Sequence, residues 1–463
     1  MSTAAHSGLN NHAQRKLAEA LRDPQYNPVV ILGHGQIAMM QVQECQRRHI
    51  PVIVIGDGSY AIQSLHSPAE QALGQDDYYI NLGEDYLGRP SELDQLIEKL
   101  KITRSAVTAE FENVPVELLE LFEKQWVRLA PGSKAFAICR DKLKEKKHFR
   151  GNGIPCTDFL GLQADDLESQ KNEIEKLLPW FVKIRTLGYD GKGQELAGTF
   201  EDVKRILTQD FLKDWKTKSP FKRTPCILEK KVDFAYEMSV ILLRDKDGKI
   251  VIWGVSKNFQ DNGILVASAI SEDMIPQQIK DEAISYAIKA ANGMSYEWLL
   301  VVEFFVDKNG TVQANEMAPR PHNSAHHTRE GMYTSQYALQ ALLAHWPQTI
   351  ASIMKAYSTN HVQLYDRIQY REVVSRHAHI GLVNILGTTL RGVSEVLWIA
   401  SFWPRWGMPN VTWWAQHIAT YGKPDGKDTK RGHAVVSAAN QVQLLQFMNF
   451  FVSQLHPKSK LPW

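Results

Sequence analysis

The chain has 463 residues, of which 44% are hydrophobic, 22% charged and 10% aromatic, which excludes a mainly disordered, collagenous or coiled-coil protein. Its 53 basic and 51 acidic side chains leave a formal net charge of +2, which argues against a polyelectrolyte binder of nucleic acids or membrane surfaces. At about 150 residues per domain, the length suggests roughly two to four domains.

The four cysteines, Cys45, Cys139, Cys156 and Cys226, include no C-x-x-C pair and fit no zinc spacing, so they read as reduced thiols of a cytosolic protein. Residues 1–27 lack an apolar signal core and read as a loose extension. No apolar run approaches the ~18 residues that span a bilayer. The nearest, Val396 to Trp403, is short and ends at Pro404. A soluble, cytoplasmic protein is expected.

The apolar run Pro28 to Leu32, the turn Gly33-His34-Gly35, a helix over Gln36 to Arg48 and a second apolar run over Pro51 to Ile55 predict a βαβ unit. Such a unit opens a doubly wound sheet, and a glycine turn into a helix N-terminus suits a phosphate or other anion. The third glycine of the dinucleotide fingerprint is missing. A helix over Ser91 to Lys101 and a strand over Ala106 to Ala109 continue the alternation. Glu110-Phe111-Glu112-Asn113 then lies at the carboxyl end of that strand, where open parallel sheets bind ligands. An acidic helix start is the alternative.

Asp141 to Arg150 predicts a charged helix with a solvated face. A helix over Asp165 to Leu178 and a strand over Trp180 to Ile184 follow, the strand carrying Lys183. Gly188-Tyr189-Asp190-Gly191-Lys192-Gly193-Gln194 is a flexible loop whose N–H groups can approach phosphate oxygens, although a plain hairpin turn also uses such glycines. Strands over Cys226 to Glu229, Met238 to Leu243 and Ile250 to Val255 read as a meander. A helix over Asp281 to Asn292 precedes the apolar run Leu299 to Val306, interrupted by Glu303. Thr311 to Asn315 pairs back, with Glu316 at its end. A carboxylate buried in each of two adjacent strands needs a cation, and Mg²⁺ or a basic side chain would serve. Arg320 follows on a proline-stiffened loop and can grip an anion with two parallel hydrogen bonds. His322, His326 and His327 lack a zinc spacing.

Strand lysine, glycine loop, Glu303 and Glu316, in that order, resemble the ATP-grasp superfamily. Within it, E-F-E-N-V-P at 110–115, G-Y-D-G-K-G-Q at 188–194 and N-E-M-A-P-R-P-H-N-S at 315–324 look like the N5-carboxyaminoimidazole ribonucleotide synthetases of purine biosynthesis. Thr334-Ser335-Gln336 and Tyr421-Gly422-Lys423 match as well. The resemblance runs from about residue 28 to 440. It implies a ligase that uses ATP and bicarbonate, through carboxyphosphate, to carboxylate 5-aminoimidazole ribonucleotide. Lys142, Lys183 and Asn315 would meet ATP, Glu229, Lys230, Lys231 and Val232 its adenine, and Glu237 its ribose. Glu303 and Glu316 would hold Mg²⁺. Arg320, His322 and Asn323 would bind bicarbonate and carboxyphosphate. Gln36, Glu112, Tyr189, Lys192, Lys423, Lys430 and Arg431 would meet the ribonucleotide. A homodimer is implied, with no nucleic-acid or membrane partner. A ligase for another amine acceptor, or a nucleotide-binding sensor, are the alternatives.

The chain departs from the family's usual residues at His34, Met39, Ala325 and His327, and in the compressed stretch Lys430-Arg431-Gly432-His433. Ala325 asks for a backbone angle that a Cβ tolerates. The expected fold class is a multidomain α/β and α+β protein. An extension (1–27) precedes a doubly wound domain (28–140), an ATP-grasp lid (141–228), a central domain (229–375) and a β-rich C-terminal piece (376–463). The segments 350–371 and 398–414 look longer than the family needs; a dimer surface or a lid are the functional readings, and aromatics there are more often core.

Overall fold

The valine and isoleucine run forms β1 (Val29–Leu32), buried throughout, and the glycine turn leads into α1 (Gln36–Gln46). β2 (Val52–Gly56), β3 (Tyr78–Asn81), β4 (Ala106–Ala109) and β5 (Arg128–Leu129) complete a parallel sheet of order β3-β2-β1-β4-β5. The order reverses between β1 and β4, so their carboxyl ends flank the crevice where doubly wound sheets bind ligands. Gly33 leaves one strand there and Glu110 the other. The computed structural model describes residues 17, 19–20, 22–23, 26–56, 73–74, 77–82, 106–125, 127–162, 167–176, 178–188, 191, 193–208, 225–345, 355, 363–365, 368–372, 377–386, 414–421, 430–456 and 459–462. The helix expected over Ser91 to Lys101 and the segment 398–413 lie outside these residues.

α2 (Val116–Lys124), α3 (Ser133–Cys139) and α4 (Lys142–Gly151) follow. Asp141 caps α4, accepting from the N–H groups of Leu143 at 3.0 Å and Lys144 at 3.3 Å. The expected solvated face is a misreading of α4: Glu145 and Lys146 are each only 1% exposed. They lie against the strand that carries Glu316, as described below.

The lid is an antiparallel sheet of order β6-β9-β7-β8, built from β6 (Phe159–Leu162), β7 (Trp180–Ile184), β8 (Gln194–Ala197) and β9 (Cys226–Lys230). α5 (Lys171–Lys176) and α6 (Phe200–Thr208) accompany it, and Trp180, Val182, Ile184 and Leu228 pack its core with Ile174 and Val203. Among the described residues of the helix expected over Asp165 to Leu178, only α5 is helical, and residues 167–170 form turns instead.

The large sheet begins with β10 (Phe234–Arg244), β11 (Ile250–Asp261) and β12 (Ile264–Ile270). α7 (Gln277–Gly293) packs against it, and β13 (Trp298–Asp307) and β14 (Val312–Ala318) extend one edge. A 3₁₀ turn (Asn323–Ala325), α8 (Thr328–Gly331) and α9 (Gln336–His345) come next, with α9 against α1. The two short strands β15 (Gln363–Tyr365) and β16 (Ile368–Glu372) pair with each other, and β16 runs parallel to β11. β17 (Ile380–Leu386), β18 (Trp414–Thr420) and β19 (Lys430–Ser437) continue the same sheet, giving the order β14-β13-β10-β11-β12-β17-β19-β18. α10 (Gln441–Leu455) covers this end through Leu444, Phe447, Met448 and Phe451. The C-terminal strands therefore share the central sheet. Among the described residues, no helix is long and apolar enough to cross a membrane.

Beside this joint sits a buried histidine cluster. His326 stacks on His433 with ring centroids 4.7 Å apart and bonds the Tyr337 hydroxyl, while Tyr421 bonds His433. Burial pushes His327 down to about 4 and holds His326 well below its ordinary value, so both are neutral in the fold. The unfolded chain takes up a proton on each below about pH 6.5, so stability falls as pH drops from there toward 4. His327 alone accounts for a loss on the order of 3 kcal/mol. Denaturant titrations between neutral and acidic pH should show this loss, and a His327→Leu variant should show a flatter profile. An unchanged profile in that variant would contradict the assignment.

Candidate active site

One cavity of about 370 Å³ opens between the lid sheet, the large sheet and the edge of the parallel sheet. On its lid side, β7 supplies Lys183 and β9 supplies Glu229, with the lysine Nζ 2.8 Å from Glu229 Oε2. Lys146 of α4 reaches the same oxygen at 3.4 Å. Burial alone would raise the Glu229 carboxyl, but Lys146, Lys183 and Lys142 bring it down to about 2. Burial pushes Lys183 down from its ordinary value despite Glu229. Lys142 lies 3.3 Å from Glu316 Oε2; burial opposes its charge, yet Glu316, Glu145 and Glu229 raise it overall.

The opposite wall is β13 against β14. Glu303 and Glu316 face each other across the two strands. Pairing then shifts, with Phe304 opposite Ala314, so Asn315 is the extra residue of a β-bulge. A bulge re-aims side chains, and Asn315 and Glu316 both line the cavity. α4 holds this bulge from both sides. Lys146 Nζ donates to the Asn315 carbonyl at 2.6 Å, and Met317 N–H donates to Glu145 Oε1 at 2.5 Å. Lys142 holds the Glu316 carboxyl near 2 against burial, with lesser help from Lys183 and His322. Burial, Glu316 and Glu237 keep Glu303 well above the usual carboxylate range. Glu237 is itself pushed up to about 8, by burial first and Glu316 second. Carboxylates this crowded, with hard oxygen donors, fit a divalent cation such as Mg²⁺, which takes one or two protein carboxylates and fills its shell with phosphates and water.

The third wall joins the Arg320 loop to the parallel sheet. Arg320 Nε donates to Glu112 Oε2 at 2.6 Å, Nη2 lies 2.6 Å from the same oxygen, and Nη1 donates to the Pro321 carbonyl at 3.0 Å. Burial works against the Arg320 charge, but Glu112 holds its pKa above the ordinary value. Ser324 N–H donates to His322 Nδ1 at 3.3 Å, which leaves the Nε2 proton facing Glu303 Oε1 at 3.3 Å. Gln336 clamps the His322 backbone, its Oε1 accepting from His322 N–H at 2.8 Å and its Nε2 donating to His322 O at 2.7 Å. Gln36 Nε2 donates to Asn323 Oδ1 at 2.9 Å.

The glycine turn carries a correction. The helix N-terminus expected to suit an anion already holds one from the chain itself. Glu110 accepts from Gly35 N–H at 2.5 Å and Ala38 N–H at 3.1 Å. A Cβ on Gly33, whose φ is +103°, would lie 2.4 Å from the Glu110 side chain. His34 fills the space beside Gly56, where a Cβ would lie 2.4 Å from its ring, and Met39 packs with Met40, Tyr337 and Tyr421. Ala325 is buried, and its φ is not positive, which meets the expectation for a Cβ there.

Of the expected site residues, Lys142, Lys183, Glu229, Lys230, Val232, Glu237 and Asn315 line the cavity. So do Glu112, Glu303, Glu316, Arg320, His322, Asn323 and Lys430. Gln36 reaches it through Asn323. Lys231 is exposed and does not line it, and neither does Arg431, which is the extra residue where the pairing of β19 with β17 shifts. Tyr189, Lys192 and Lys423 lie outside the described residues. Phe234 and Phe305, stacked 4.7 Å apart, add an apolar side that the sequence reading missed. It also missed Glu145 and Lys146, although with Lys142 they share the i, i+3, i+4 spacing of one helix face. Among the described residues, no three His, Cys, Asp or Glu side chains converge as metal ligands.

An ATP-grasp domain matches residues 147–337. An N5-carboxyaminoimidazole ribonucleotide synthase of Pseudomonas aeruginosa is 36% identical over 262 residues, which span 56% of this chain and 66% of that protein. The crystal structure of the Thermus thermophilus synthetase is 26% identical, with a TM-score of 0.67 over 94% of this chain and 99% of that one. An ADP complex of another such synthetase is 25% identical, with a TM-score of 0.69 over 93% and 98%. Sequence motifs, sheet order and this cavity agree with these likenesses: the chain belongs to the N5-carboxyaminoimidazole ribonucleotide synthetase family of ATP-grasp proteins.

Proposed function

We propose that this cavity phosphorylates bicarbonate with ATP and passes the carboxyl group to the exocyclic amine of 5-aminoimidazole ribonucleotide. The products are N5-carboxyaminoimidazole ribonucleotide, ADP and phosphate. One observation carries the reading. Two lysines, two opposed carboxylates and the Arg320-His322-Asn323 group line one cavity at the crevice of a doubly wound sheet.

Adenine fits beside Phe234, Phe305 and Val232. The main chain there is partly committed: Lys230 N–H donates to Asp158 O at 2.9 Å, Thr157 Oγ1 donates to Lys230 O at 2.8 Å, and Lys231 N–H donates to Pro179 O at 3.1 Å. Among the described residues, that leaves Lys231 C=O and Val232 N–H to read the base edge. Glu237 suits the ribose hydroxyls. Lys142 and Lys183 meet the phosphates. Mg²⁺ held by Glu303 and Glu316 would offset charge on the β- and γ-phosphates. Bicarbonate sits at Arg320, whose N–H groups not committed to Glu112 and the Pro321 carbonyl would hold the anion for in-line attack on the γ-phosphorus. ADP leaves as the bond to its bridging oxygen breaks. Arg320, His322 and Asn323 then keep carboxyphosphate from water until the amine attacks its carbon, or that of the CO₂ it releases. Phosphate departs and accepts the amine proton. Glu112, at the parallel-sheet edge, orients both Arg320 and the ribonucleotide. Gln36 supports Asn323, and Lys430 suits the 5′-phosphate. Tyr189, Lys192 and Lys423 belong to the same substrate site in this reading, with Arg431 outside it and Lys231 contributing only its backbone carbonyl to the adenine side.

ADP release from the purified protein with Mg-ATP and bicarbonate should rise strongly when 5-aminoimidazole ribonucleotide is added. Arg320→Ala should lower that stimulated rate by about 100-fold or more. Bicarbonate-dependent turnover indifferent to the ribonucleotide would instead indicate another amine acceptor.

The clamp on the bulge generates a second outcome. Glu145→Ala leaves Met317 N–H buried without an acceptor, a cost of about 1–3 kcal/mol. Glu316 should then be misplaced, and the Mg²⁺ concentration for half-maximal rate should rise about tenfold. Glu145→Gln keeps an acceptor oxygen and should stay within about twofold of the parent. Equal effects from both substitutions would show that the hydrogen bond is not what matters.

A further inference from the structure

A second cavity, of about 320 Å³, lies where the C-terminal end of α1 meets α8 and the start of α9. Glu44, Arg47, Arg48, Arg329, Tyr333 and Ser335 line it, and none of them lines the catalytic cavity. Three guanidinium groups converge on the single carboxylate of Glu44. Arg47 Nη1 lies 3.1 Å from Oε1, Arg48 Nη1 bonds Oε2, and Arg329 Nε stands 3.9 Å from Oε1. Cations at a helix C-terminus offset its dipole, and that accounts for Arg47 and Arg48. It does not account for Arg329, which comes from another element.

The Arg329 side chain is 3% exposed. Its Nη1 donates to Gln43 Oε1 at 3.1 Å, but its Nε makes no hydrogen bond, because Glu44 is too far away. A buried guanidinium donor without an acceptor is costly. The other acid nearby, Glu330, is pushed up to about 7 by burial against Arg329 and Arg47, so it offsets only part of the remaining positive charge. The cavity therefore has spare donors, spare charge and volume beyond that of a phosphate group. Ser335 Oγ accepts from Ala338 N–H at 3.0 Å and keeps its own proton for donation. The Tyr333 ring, 52% exposed, stands at the rim.

We propose that this cavity is a second, non-catalytic site for a dianionic phosphate, either free phosphate or the phosphate of a small sugar phosphomonoester. Arg47, Arg48 and Arg329 donate to its oxygens, and Glu44 sets the spacing of the guanidinium groups.

The test uses the full chain with its catalytic cavity filled by a Mg-bound, non-hydrolysable ATP analogue. Calorimetric titration with inorganic phosphate, and separately with ribose 5-phosphate, should give a saturable event that weakens with added salt. Arg47→Ala/Arg48→Ala should weaken it about tenfold or more, while Arg320→Ala leaves it intact. Because the Arg47 side chain is 60% exposed, the single Arg47→Ala variant serves if the double variant fails to fold. Equal affinity for both probes assigns free phosphate, and tighter binding of ribose 5-phosphate assigns the phosphomonoester. No saturable event, or one that the arginine variants leave unchanged, would overturn the proposal and leave the three arginines as structural partners of Glu44.

Discussion

The structure depends on a set of buried charges where α4 crosses from the lid to the large sheet. Lys146 and Lys183 share Glu229, and Lys142 faces Glu316. A buried ion is tolerated only with partners, and removing one partner strands the other. The network therefore commits α4, β7, β9 and β14 to one arrangement, since each supplies a member. Hydrophobic packing alone would permit small slides between lid and sheet. Paired charges at fixed separations do not. The lysines that hold the lid in place are also those that would meet phosphates.

The parallel sheet contributes through two carboxylates at one strand end. Glu110 turns back to its own sheet and fills the helix N-terminus beside the glycine turn. Glu112, two residues on, points out to Arg320. Filling the first anion site internally removes a competitor for phosphate, so in the proposed reaction the anionic substrates would fall to the lysines, Arg320 and Lys430. It also makes sense of the local departures from the family. With Glu110 seated at the helix, position 39 faces an apolar cluster rather than a ligand, and methionine suits it. His34 fills the hollow over Gly56.

Much of this was legible in the sequence. Valine-rich runs, the glycine turn and the strand lysine marked the doubly wound sheet and the lid, and the string Asn315 to Ser324 marked a segment that lines the cavity. Of the basic pair near the C-terminus, Lys430 lines the cavity and Arg431 does not. Other features were hidden. A run such as D-K-L-K-E-K-K reads as solvated, because only tertiary contacts reveal that Lys146 and Glu145 face a bulge 169 and 172 residues further along the chain rather than water. The bulge at Asn315 leaves no local mark either, since it is a property of pairing with β13. Nor does a strand near the C-terminus announce that it will join a sheet begun two hundred residues earlier. Burial of charge and choice of strand partner are set by the whole chain.

The central claim is that bicarbonate is phosphorylated in this cavity. Oxygen-18-labelled bicarbonate, supplied with Mg-ATP and 5-aminoimidazole ribonucleotide and quenched before exchange with water, tests it directly. Attack by a bicarbonate oxygen on the γ-phosphorus must carry one labelled oxygen into each released phosphate. Mass spectrometry of that phosphate should find the label in proportion to turnover. Unlabelled phosphate released at the same rate would mean that water or another acceptor, and not bicarbonate, attacks ATP.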